Sequence, residues 1–255
     1  MHSIGIDIGS TSAKIAVFDA DKDKFIHFFI LPTGWSVVDT STIIKKKLDA
    51  LDLDNEIYIA TGYGRVSVKY AHKIITEITC HAMGANYLSC KDCTVIDIGG
   101  QDTKAIRLEN GIITSFIMND KCSAGTGKFL EVMSNRLGVS FDELTTLATL
   151  SNKDVKISSM CTVFAESEII SLIAQNISRE NIANAVIKSA VNKIANLVKK
   201  EANERYFLSG GFSKNAYMKE CLQNELGCEI KTDENAIYCG AIGAALIGVK
   251  KLKRR

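Results

Sequence analysis

The sequence predicts an α/β protein of two similar lobes. Residues 6–14 read IDIGSTSAK, and residues 96–104, ninety positions later, read IDIGGQDTK. Each copy follows a run of β-branched and apolar residues and leads into a second such run, which is the pattern of a strand–turn–strand hairpin. A similar order of predicted strands and helices surrounds both copies, and no low-complexity linker separates them. We therefore expect two packed lobes of related structure.

The first half of the chain predicts a meander of strands and then alternating helix and strand. Pro32 closes the meander, because proline has no amide hydrogen with which to continue a sheet. The expected elements are strands over residues 3–8, 13–18 and 24–31, a helix over 38–51, a strand over 57–61 and a helix over 76–87.

The second half repeats this plan, with strands expected over residues 94–98, 103–108 and 112–118 and helices after them. A late strand ends in two glycines before a further helix, and small residues from Gly240 onward predict a closely packed last helix. We expect an N-terminal lobe over residues 1–90, a C-terminal lobe over 91–239 and a final helix at 240–255 able to pack on the first lobe. Helix faces are predicted by the apolar sets Phe129, Met133 and Leu137; Ala165, Ile169, Leu172 and Ile173; and Ile187, Ala190, Val191, Ile194, Leu197 and Val198.

Net charge and the length of the apolar runs argue against a nucleic acid or membrane partner. The 255 residues carry a formal net charge of +2, which gives no electrostatic reason to expect a nucleic acid partner. No apolar run approaches the ~20 residues that span a bilayer, so we expect no membrane partner. The first residues lead directly into a strand without the pattern of a signal peptide, which favours a cytoplasmic protein.

Both repeated hairpins are candidate phosphate-binding loops, because glycine and small hydroxyl residues let backbone amides approach phosphate oxygens. Asp7 and Asp97 end the strands before them, where a carboxylate can hold hydrated Mg²⁺ or orient a water. One such turn alone is more often an ordinary β-turn, but its repetition in matched context favours the functional interpretation. The candidate phosphate ligands are Gly9, Ser10, Thr11, Ser12, Ala13, Lys14, Gly99 and Gly100, and the candidate adenosine neighbours are Gly210, Gly211, Asn215 and Gly240.

Cys122 and Cys161 are the candidate metal ligands among the eight cysteines. The surrounding sequence predicts that each lies where a loop turns into a helix. The positive end of the helix dipole would stabilise a thiolate there. An iron–sulfur cluster usually takes four thiolates, so two cysteines per chain predict one cluster shared by a two-fold dimer. The remaining cysteines are interpreted as packing residues, although the C-x-x-C spacing of Cys90 and Cys93 could also bind metal or cycle as a disulfide.

These motifs resemble the superfamily of actin, hexokinase and the heat-shock chaperone ATPases. Within it they are most similar to the activators of 2-hydroxyacyl-CoA dehydratases and the related ATPase subunits of benzoyl-CoA reductases. The resemblance covers nearly the whole chain, and the two cysteine motifs are its most specific part. It is carried by residues 7–11 (DIGST), 61–65 (TGYGR), 77–81 (EITCH), 97–102 (DIGGQD), 118–122 (MNDKC) and 161–168 (CTVFAESE).

The resemblance implies two ribonuclease-H-like lobes with a nucleotide cleft between them, as in actin and hexokinase. It implies a homodimer with one [4Fe–4S] cluster, for which the matching ligands are Cys122 and Cys161 of each chain. It implies an ATPase coupled to electron transfer, with ATP or ADP and Mg²⁺ bound in each chain. A donor such as ferredoxin or flavodoxin would supply a low-potential electron in an anaerobic cytoplasm, and a cluster-containing dehydratase or reductase would accept it.

The sequence leaves three points open. The residue that positions the attacking water is Gln101, Asp102 or Glu77, and the pattern does not choose among them. The electron acceptor is a 2-hydroxyacyl-CoA dehydratase by default, with an aryl-CoA reductase or another cluster-bearing reductase as alternatives. A redox-silent small-molecule kinase of the same superfamily is the rival function, and a nucleotide-gated assembly protein is a third, but both leave the cysteine motifs unexplained.

Overall fold

The computed structural model describes residues 1–89, 92–159, 161–201 and 203–252. Cys90, the first cysteine of the C-x-x-C pair, lies outside the described residues. The described residues divide into two compact units. Unit 1 is formed from Met1–Val95, Leu108–Thr114 and Asp233–Arg255, and unit 2 from Ile96–Arg107 and Ser115–Thr232.

Among the described residues, two five-stranded sheets of the same strand order form the framework. The first sheet has the order β3-β2-β1-β4-β5, with β1–β2 and β2–β3 antiparallel and β1–β4 and β4–β5 parallel. Its strands are β1 (His2–Ile8), β2 (Ser12–Asp19), β3 (Lys24–Pro32), β4 (Glu56–Thr61) and β5 (Lys73–Ile74). The predicted strands over residues 3–8, 13–18, 24–31 and 57–61 are confirmed.

The second sheet has the order β8-β7-β6-β9-β10, in which every strand number is five higher than at the same place in the first sheet. The predicted strands over residues 94–98, 103–108 and 112–118 are confirmed, as is the late strand that ends in glycine. The strands are β6 (Cys93–Ile98), β7 (Thr103–Glu109), β8 (Ile112–Asn119), β9 (Tyr206–Gly210) and β10 (Ile230–Lys231).

The helices begin at residues with the expected capping chemistry. Ser36 caps α1 by accepting a hydrogen bond from the Asp39 amide at 3.2 Å, and Ser140 and Glu143 form a reciprocal capping box on α4. The helices are α1 (Val37–Asp49), α2 (Glu77–Leu88), α3 (Gly127–Leu137), α4 (Phe141–Thr149), α5 (Thr162–Ala174), α6 (Arg179–Val198), α7 (Ala216–Leu226) and α8 (Cys239–Leu252). No helix within the described ranges is both long and apolar enough to cross a bilayer.

Helix α8 packs against the first sheet and α2 at backbone distance. A Cβ placed on Gly5 would lie 1.9 Å from the Ala241 carbonyl oxygen, and one placed on Gly243 would lie 1.8 Å from the Cys80 carbonyl oxygen. Both positions therefore require glycine. The Ser3 hydroxyl also donates to the Ala245 carbonyl at 2.6 Å. The small residues of α8 thus have the close-packing role that their pattern predicts.

The core of unit 2 is built largely from helix faces. Phe129, Met133 and Leu137 of α3 are buried together, as their spacing predicts. Ala165 and Ile169 of α5 are buried in the same cluster, but Ile173 is 45% exposed, so its predicted place on that face is wrong. The reason is that α5 is apolar on several sides, so spacing alone does not identify its buried stripe. Its exposed apolar residues also include Val163, Phe164 and Ile170.

Candidate functional site

Asp7 lies at the end of β1 in unit 1 and is almost fully buried. Gly62 has φ +87°, and a Cβ there would lie 2.5 Å from Asp7 Oδ1. A Cβ on Gly240 would lie 2.5 Å from Asp7 Oδ2 and 3.0 Å from His81 Nε2. Glycine is thus required on two sides of this carboxylate, and Gly240 and buried His81 are its neighbours.

Hydrogen bonds of the Gly9 backbone fix the first hairpin turn. The Gly9 amide donates to the Ser12 carbonyl at 3.1 Å, and the Thr33 hydroxyl donates to the Gly9 carbonyl at 2.7 Å. Ser10 and Thr11 are exposed at the tip, while Ser12 and Lys14 are partly exposed. Ala13 is fully buried, so its side chain is not available to a ligand.

Asp97 occupies the equivalent place in unit 2, at the end of β6, and is 3% exposed. Lys104 Nζ lies 3.3 Å from Asp97 Oδ2 and 2.6 Å from Asp102 Oδ2, and the Ser209 hydroxyl donates to Asp97 Oδ1 at 3.1 Å. Gly210 has φ +85°, and a Cβ there would lie 2.9 Å from Asp97 Oδ1. Both units therefore place a glycine of positive φ, at or just after the end of the neighbouring strand, beside a buried strand-end aspartate.

The second hairpin turn carries the start of α3. The Gly99 amide donates to the Asp102 carbonyl at 2.8 Å, which closes the turn. The Gly127 and Lys128 amides, the first two of α3, donate to the carbonyls of Gly99 and Gly100 at 2.9 and 2.8 Å. The turn and the helix start are consequently one hydrogen-bonded unit.

The structure separates the remaining predicted residues by unit. Gln101 is exposed and Asp102 is partly exposed in unit 2, whereas Glu77 is partly exposed at the first turn of α2 in unit 1. Gly211 is exposed and has open space where a Cβ would stand. Asn215 is the N-cap of α7, where its Oδ1 accepts from the Met218 amide at 2.9 Å. Its side chain therefore already has a structural role.

Cys122 is exposed in a loop rather than at a helix start. The side-chain Nδ2 of Asn119 donates to the Cys122 carbonyl at 2.8 Å. The backbone amide of Cys122 donates to Oδ1 of the same asparagine at 3.3 Å. Gly125 has φ +80°, which no helix accommodates, and α3 begins only at Gly127. Cys122 therefore precedes α3 by five residues and does not lie at the point where the loop turns into the helix, contrary to the prediction.

Cys161 is exposed and is the N-cap of α5, as predicted. The loop before it is fixed by Glu168 of the same helix, which accepts from the Ser158 amide at 3.0 Å and from the Ser159 amide at 3.1 Å. Burial opposes the charge of Glu168, but the hydrogen bonds from both serines outweigh it and hold its pKa below the ordinary value. Glu168 therefore acts as an anionic clamp on the loop that presents Cys161.

The two cysteine loops adjoin each other. The hydroxyls of Ser123 and Thr162, the residues directly after the two cysteines, are 2.7 Å apart. Lys193 of α6 donates to the Ser159 carbonyl at 3.4 Å. Burial lowers the pKa of Lys193, while negative charge on Cys122 and Cys161 raises it, so one ammonium lies within electrostatic range of both thiols.

This donor set fits half of an iron–sulfur cluster site. Two exposed thiols on adjoining loops supply two of the four thiolates that a four-iron cluster takes. In the part of the chain that is described, no group of three or more His, Cys, Asp or Glu is arranged to hold a metal ion. The two thiols therefore fit two of the four ligand positions of such a cluster, and the described residues form no closed mononuclear site.

The other described cysteines have the character of packing residues. Cys80, Cys93 and Cys239 are buried, and burial raises the pKa of Cys80 to about 12. Cys221 and Cys228 are partly buried against the core of unit 2, and burial raises the pKa of both thiols. A raised pKa disfavours the thiolate that binds metals.

Sequence reasoning missed three residues that organise the site. Glu168 stands inside the CTVFAESE motif, so the motif offered a signal for it. Thr103 stands inside the second hairpin, where its hydroxyl donates to the Gly125 carbonyl at 2.7 Å. Lys193 had no signal, because it lies on an amphipathic helix far along the chain from both loops.

The two sheets of common order, each with a buried aspartate near a strand end beside a glycine turn, form an α/β fold of the kind seen in the solved structures of ROK-family glucokinase and hexokinase. Residues 4–248 match the BadF/BadG/BcrA/BcrD ATPase family, and the chain belongs to this family.

The chain is 40% identical over 256 residues to the (R)-2-hydroxyglutaryl-CoA dehydratase activating ATPase of Acidaminococcus fermentans, covering 98% of each chain. The solved structure of component A of the (R)-2-hydroxyglutaryl-CoA dehydratase of A. fermentans has a TM-score of 0.92 and 39% identity, covering 99% of each chain. The activator of the 2-hydroxyisocaproyl-CoA dehydratase from Clostridium difficile with bound ADPNP has a TM-score of 0.92 and 35% identity, covering 100% of this chain and 96% of that one.

Proposed function

We propose that this chain is an ATP-dependent activator that transfers a low-potential electron to a partner enzyme. The electron would leave a [4Fe–4S] cluster shared by two copies of the chain, and the acceptor would be a cluster-containing 2-hydroxyacyl-CoA dehydratase or related reductase. The observation that carries the proposal is the pair of exposed thiols on loops joined by Ser123 and Thr162 at 2.7 Å. Relatives named as dehydratase activators support the choice of partner.

ATP binding is assigned to the two hairpins. The ATPase family and the ADPNP-bound relative support a nucleotide ligand. In this proposal Ser10, Thr11, Ser12 and Lys14 act on phosphate oxygens with backbone amides, hydroxyls and an ammonium. Ala13 contributes backbone only, because its side chain is buried. Gly99 and Gly100 contribute the corresponding amides of the second hairpin, and the nucleotide cleft between the lobes stays a prediction.

Asp7 and Asp97 are assigned to Mg²⁺ and to the water around it. Both carboxylates are buried at strand ends, where little bulk water competes for them. Gln101, Asp102 and Glu77 remain the candidates for positioning the attacking water. Asp102 differs from Gln101 in being fixed, since Lys104 holds its carboxylate at 2.6 Å.

Cys122 and Cys161 are assigned as cluster ligands. The cluster would supply a one-electron centre of low potential. The chain's own residues fix the ligands, with Asn119 holding the Cys122 loop and Glu168 holding the Cys161 loop. Exposure of both thiols suits a homodimer in which the partner supplies the other two, and an exposed cluster suits an anaerobic cytoplasm and a ferredoxin or flavodoxin donor.

Hydrogen bonds join the nucleotide hairpin to one of these ligands. The hairpin carbonyls of Gly99 and Gly100 receive the first amides of α3, and the loop that leads into α3 carries Cys122. A displacement of the hairpin when phosphate is bound or lost would therefore move the Cys122 loop directly. This connection gives ATP hydrolysis a route to the candidate cluster ligand Cys122.

Iron content and native mass after strictly anaerobic purification test the proposal. We expect a dimer with about two irons per chain, and loss of the iron in both Cys122→Ser and Cys161→Ser. Cys221→Ser is the matched control and should keep the iron, because Cys221 packs against the core. An iron-free protein that hydrolyses ATP equally well in all variants would contradict the proposal. Phosphoryl transfer to a small hydroxylated substrate would then be the activity to assay.

A further inference from the structure

Lys193 of α6 contacts a residue of each of the two cysteine loops. Its Nζ donates to the carbonyl of Ser159, two residues before Cys161, at 3.4 Å. On the other side, a Cβ placed on Gly125, three residues after Cys122, would lie 3.1 Å from Lys193 Cβ. One side chain therefore contacts both loops that present the candidate ligands.

The position of the ammonium is fixed by a second kind of contact. Nζ lies 4.6 Å from the centre of the Phe129 ring, which is fully buried at the start of α3. A cation at this distance from an aromatic ring is attracted by it, and this attraction restricts the ammonium to its position near the two loops. The side chain is partly buried, which reduces the screening of its charge.

We propose that Lys193 is a positioning residue of the cluster site, whose ammonium joins the two cysteine loops and favours the reduced state of the cluster. This inference rests on the proposed function. Four thiolates would give the bound cluster and its ligands a net negative charge. A low-potential one-electron donor would make that charge more negative by one. A fixed cation stabilises the more negative state more strongly. In a dimer the single cluster would have one Lys193 from each chain.

The size of the effect follows from Coulomb's law. A unit charge about 10 Å away in a medium of effective dielectric constant about 20 changes a one-electron equilibrium by on the order of tenfold. We therefore expect neutralisation of Lys193 to lower the ratio of reduced to oxidised cluster, at a fixed ambient potential, by about tenfold or more. Tenfold corresponds to about 59 mV for a one-electron couple.

A redox titration followed by electron paramagnetic resonance tests this expectation on the anaerobically purified dimer. The variants are Lys193→Met and Lys193→Gln, which remove the charge, and Lys193→Arg, which keeps it. Lys188→Gln is the matched control, because Lys188 lies on the same helix but is exposed and paired with Asp154 at 2.9 Å. We expect a lower midpoint potential in Lys193→Met and Lys193→Gln. In Lys193→Arg and Lys188→Gln, the ratio of reduced to oxidised cluster at a fixed ambient potential should stay within about twofold of the wild-type ratio.

Each result decides between two readings. Unchanged potentials in neutral variants that keep their iron would overturn the role of Lys193. Both neutral variants could instead lose their iron. In that case, iron retained by Lys193→Arg supports a requirement for the positive charge. Iron lost from Lys193→Arg as well overturns the proposal and indicates that Lys193 acts only through packing. A wild-type protein without iron would overturn the proposed function and this inference together, whereas iron that depends on both cysteines leaves only Lys193 in question.

Discussion

The hydroxyl of Thr103 donates to the carbonyl of Gly125 at 2.7 Å in the buried interior of unit 2. Thr103 begins β7 directly after the second hairpin turn, and Gly125 belongs to the loop that carries Cys122. Together with the bonds from α3 to Gly99 and Gly100, this contact joins the candidate phosphate loop to the candidate cluster loop at three points. The two loops are adjacent parts of one unit.

Replacing Thr103 with valine should destabilise this junction. Valine keeps the shape but leaves the buried Gly125 carbonyl without its donor, which should lower the free energy of unfolding by about 1–3 kcal/mol. Urea unfolding of the cluster-free protein measures the loss. Thr103→Ser keeps the donor and should be closer to the wild type. An equal loss in both variants would mean that the methyl group, not the hydrogen bond, matters.

Replacing Gly62 with alanine should damage the surroundings of Asp7. Alanine pays for the left-handed backbone at φ +87°, about 1 kcal/mol, and its Cβ would also meet Asp7 Oδ1 at 2.5 Å. Gly227→Ala is the matched control, because Gly227 has φ +69° with nothing within 4 Å of the added Cβ. We expect weaker ATP binding by calorimetry for Gly62→Ala only. Equal ATP affinity in the two variants would argue against Asp7 as part of the nucleotide site.

Replacing Asp97 with asparagine should slow ATP hydrolysis by about 100-fold or more, because the neutral amide is a poor ligand for Mg²⁺. The initial rate of phosphate release with saturating MgATP is the measurement. Asp154→Asn removes an exposed carboxylate from the same unit and should leave the rate unchanged. Unchanged hydrolysis in Asp97→Asn would refute the assignment of Asp97 to Mg²⁺ and water.

Glu168 should make the stability of unit 2 depend on pH. Its pKa in the folded chain is lowered from the ordinary 4.5, so its contribution is present above about pH 4.5 and is lost as the pH falls through the folded value. Glu168→Gln should therefore cost about 1 kcal/mol at pH 7 after allowance for partial exposure, and less below pH 4.

The free energy of unfolding of the wild type and of Glu168→Gln, measured at several pH values, checks this prediction. Glu131→Gln is the control, since Glu131 is exposed and pairs only locally with Lys128 at 2.9 Å among the described contacts. A difference between Glu168→Gln and the wild type that stays constant from pH 7 to below pH 4 would exclude the ionised clamp.

The sequence predicted most of the sheet framework because its signals are local. Runs such as residues 3–8 and 94–98 are apolar and β-branched, and both are confirmed as strands. Strands β5 and β10 have two residues each, which is too short for a periodic pattern. Cys161 was placed correctly at a helix start, whereas Cys122 was not, because the left-handed Gly125 delays α3.

The contacts that organise the candidate site could not be predicted from local pattern. Ser123 and Thr162 are 39 positions apart, and Lys193 and Ser159 are 34 apart. Nothing in the spacing of a helix face indicates which distant carbonyl its lysine reaches. The motifs identified the ligands, but the tertiary fold was needed to identify the residues that hold them.

Helix α8 has a consequence for the order in which the chain can fold. It covers the apolar face of β1 and β2 around Gly5 and Ala16, yet it is the last described element to leave the ribosome. Every segment of unit 2 is translated before it. During synthesis unit 2 can therefore close while unit 1 still waits for its covering helix, although unit 1 contains the first strand made. Nascent chains should thus expose that face to chaperones until translation has passed α8.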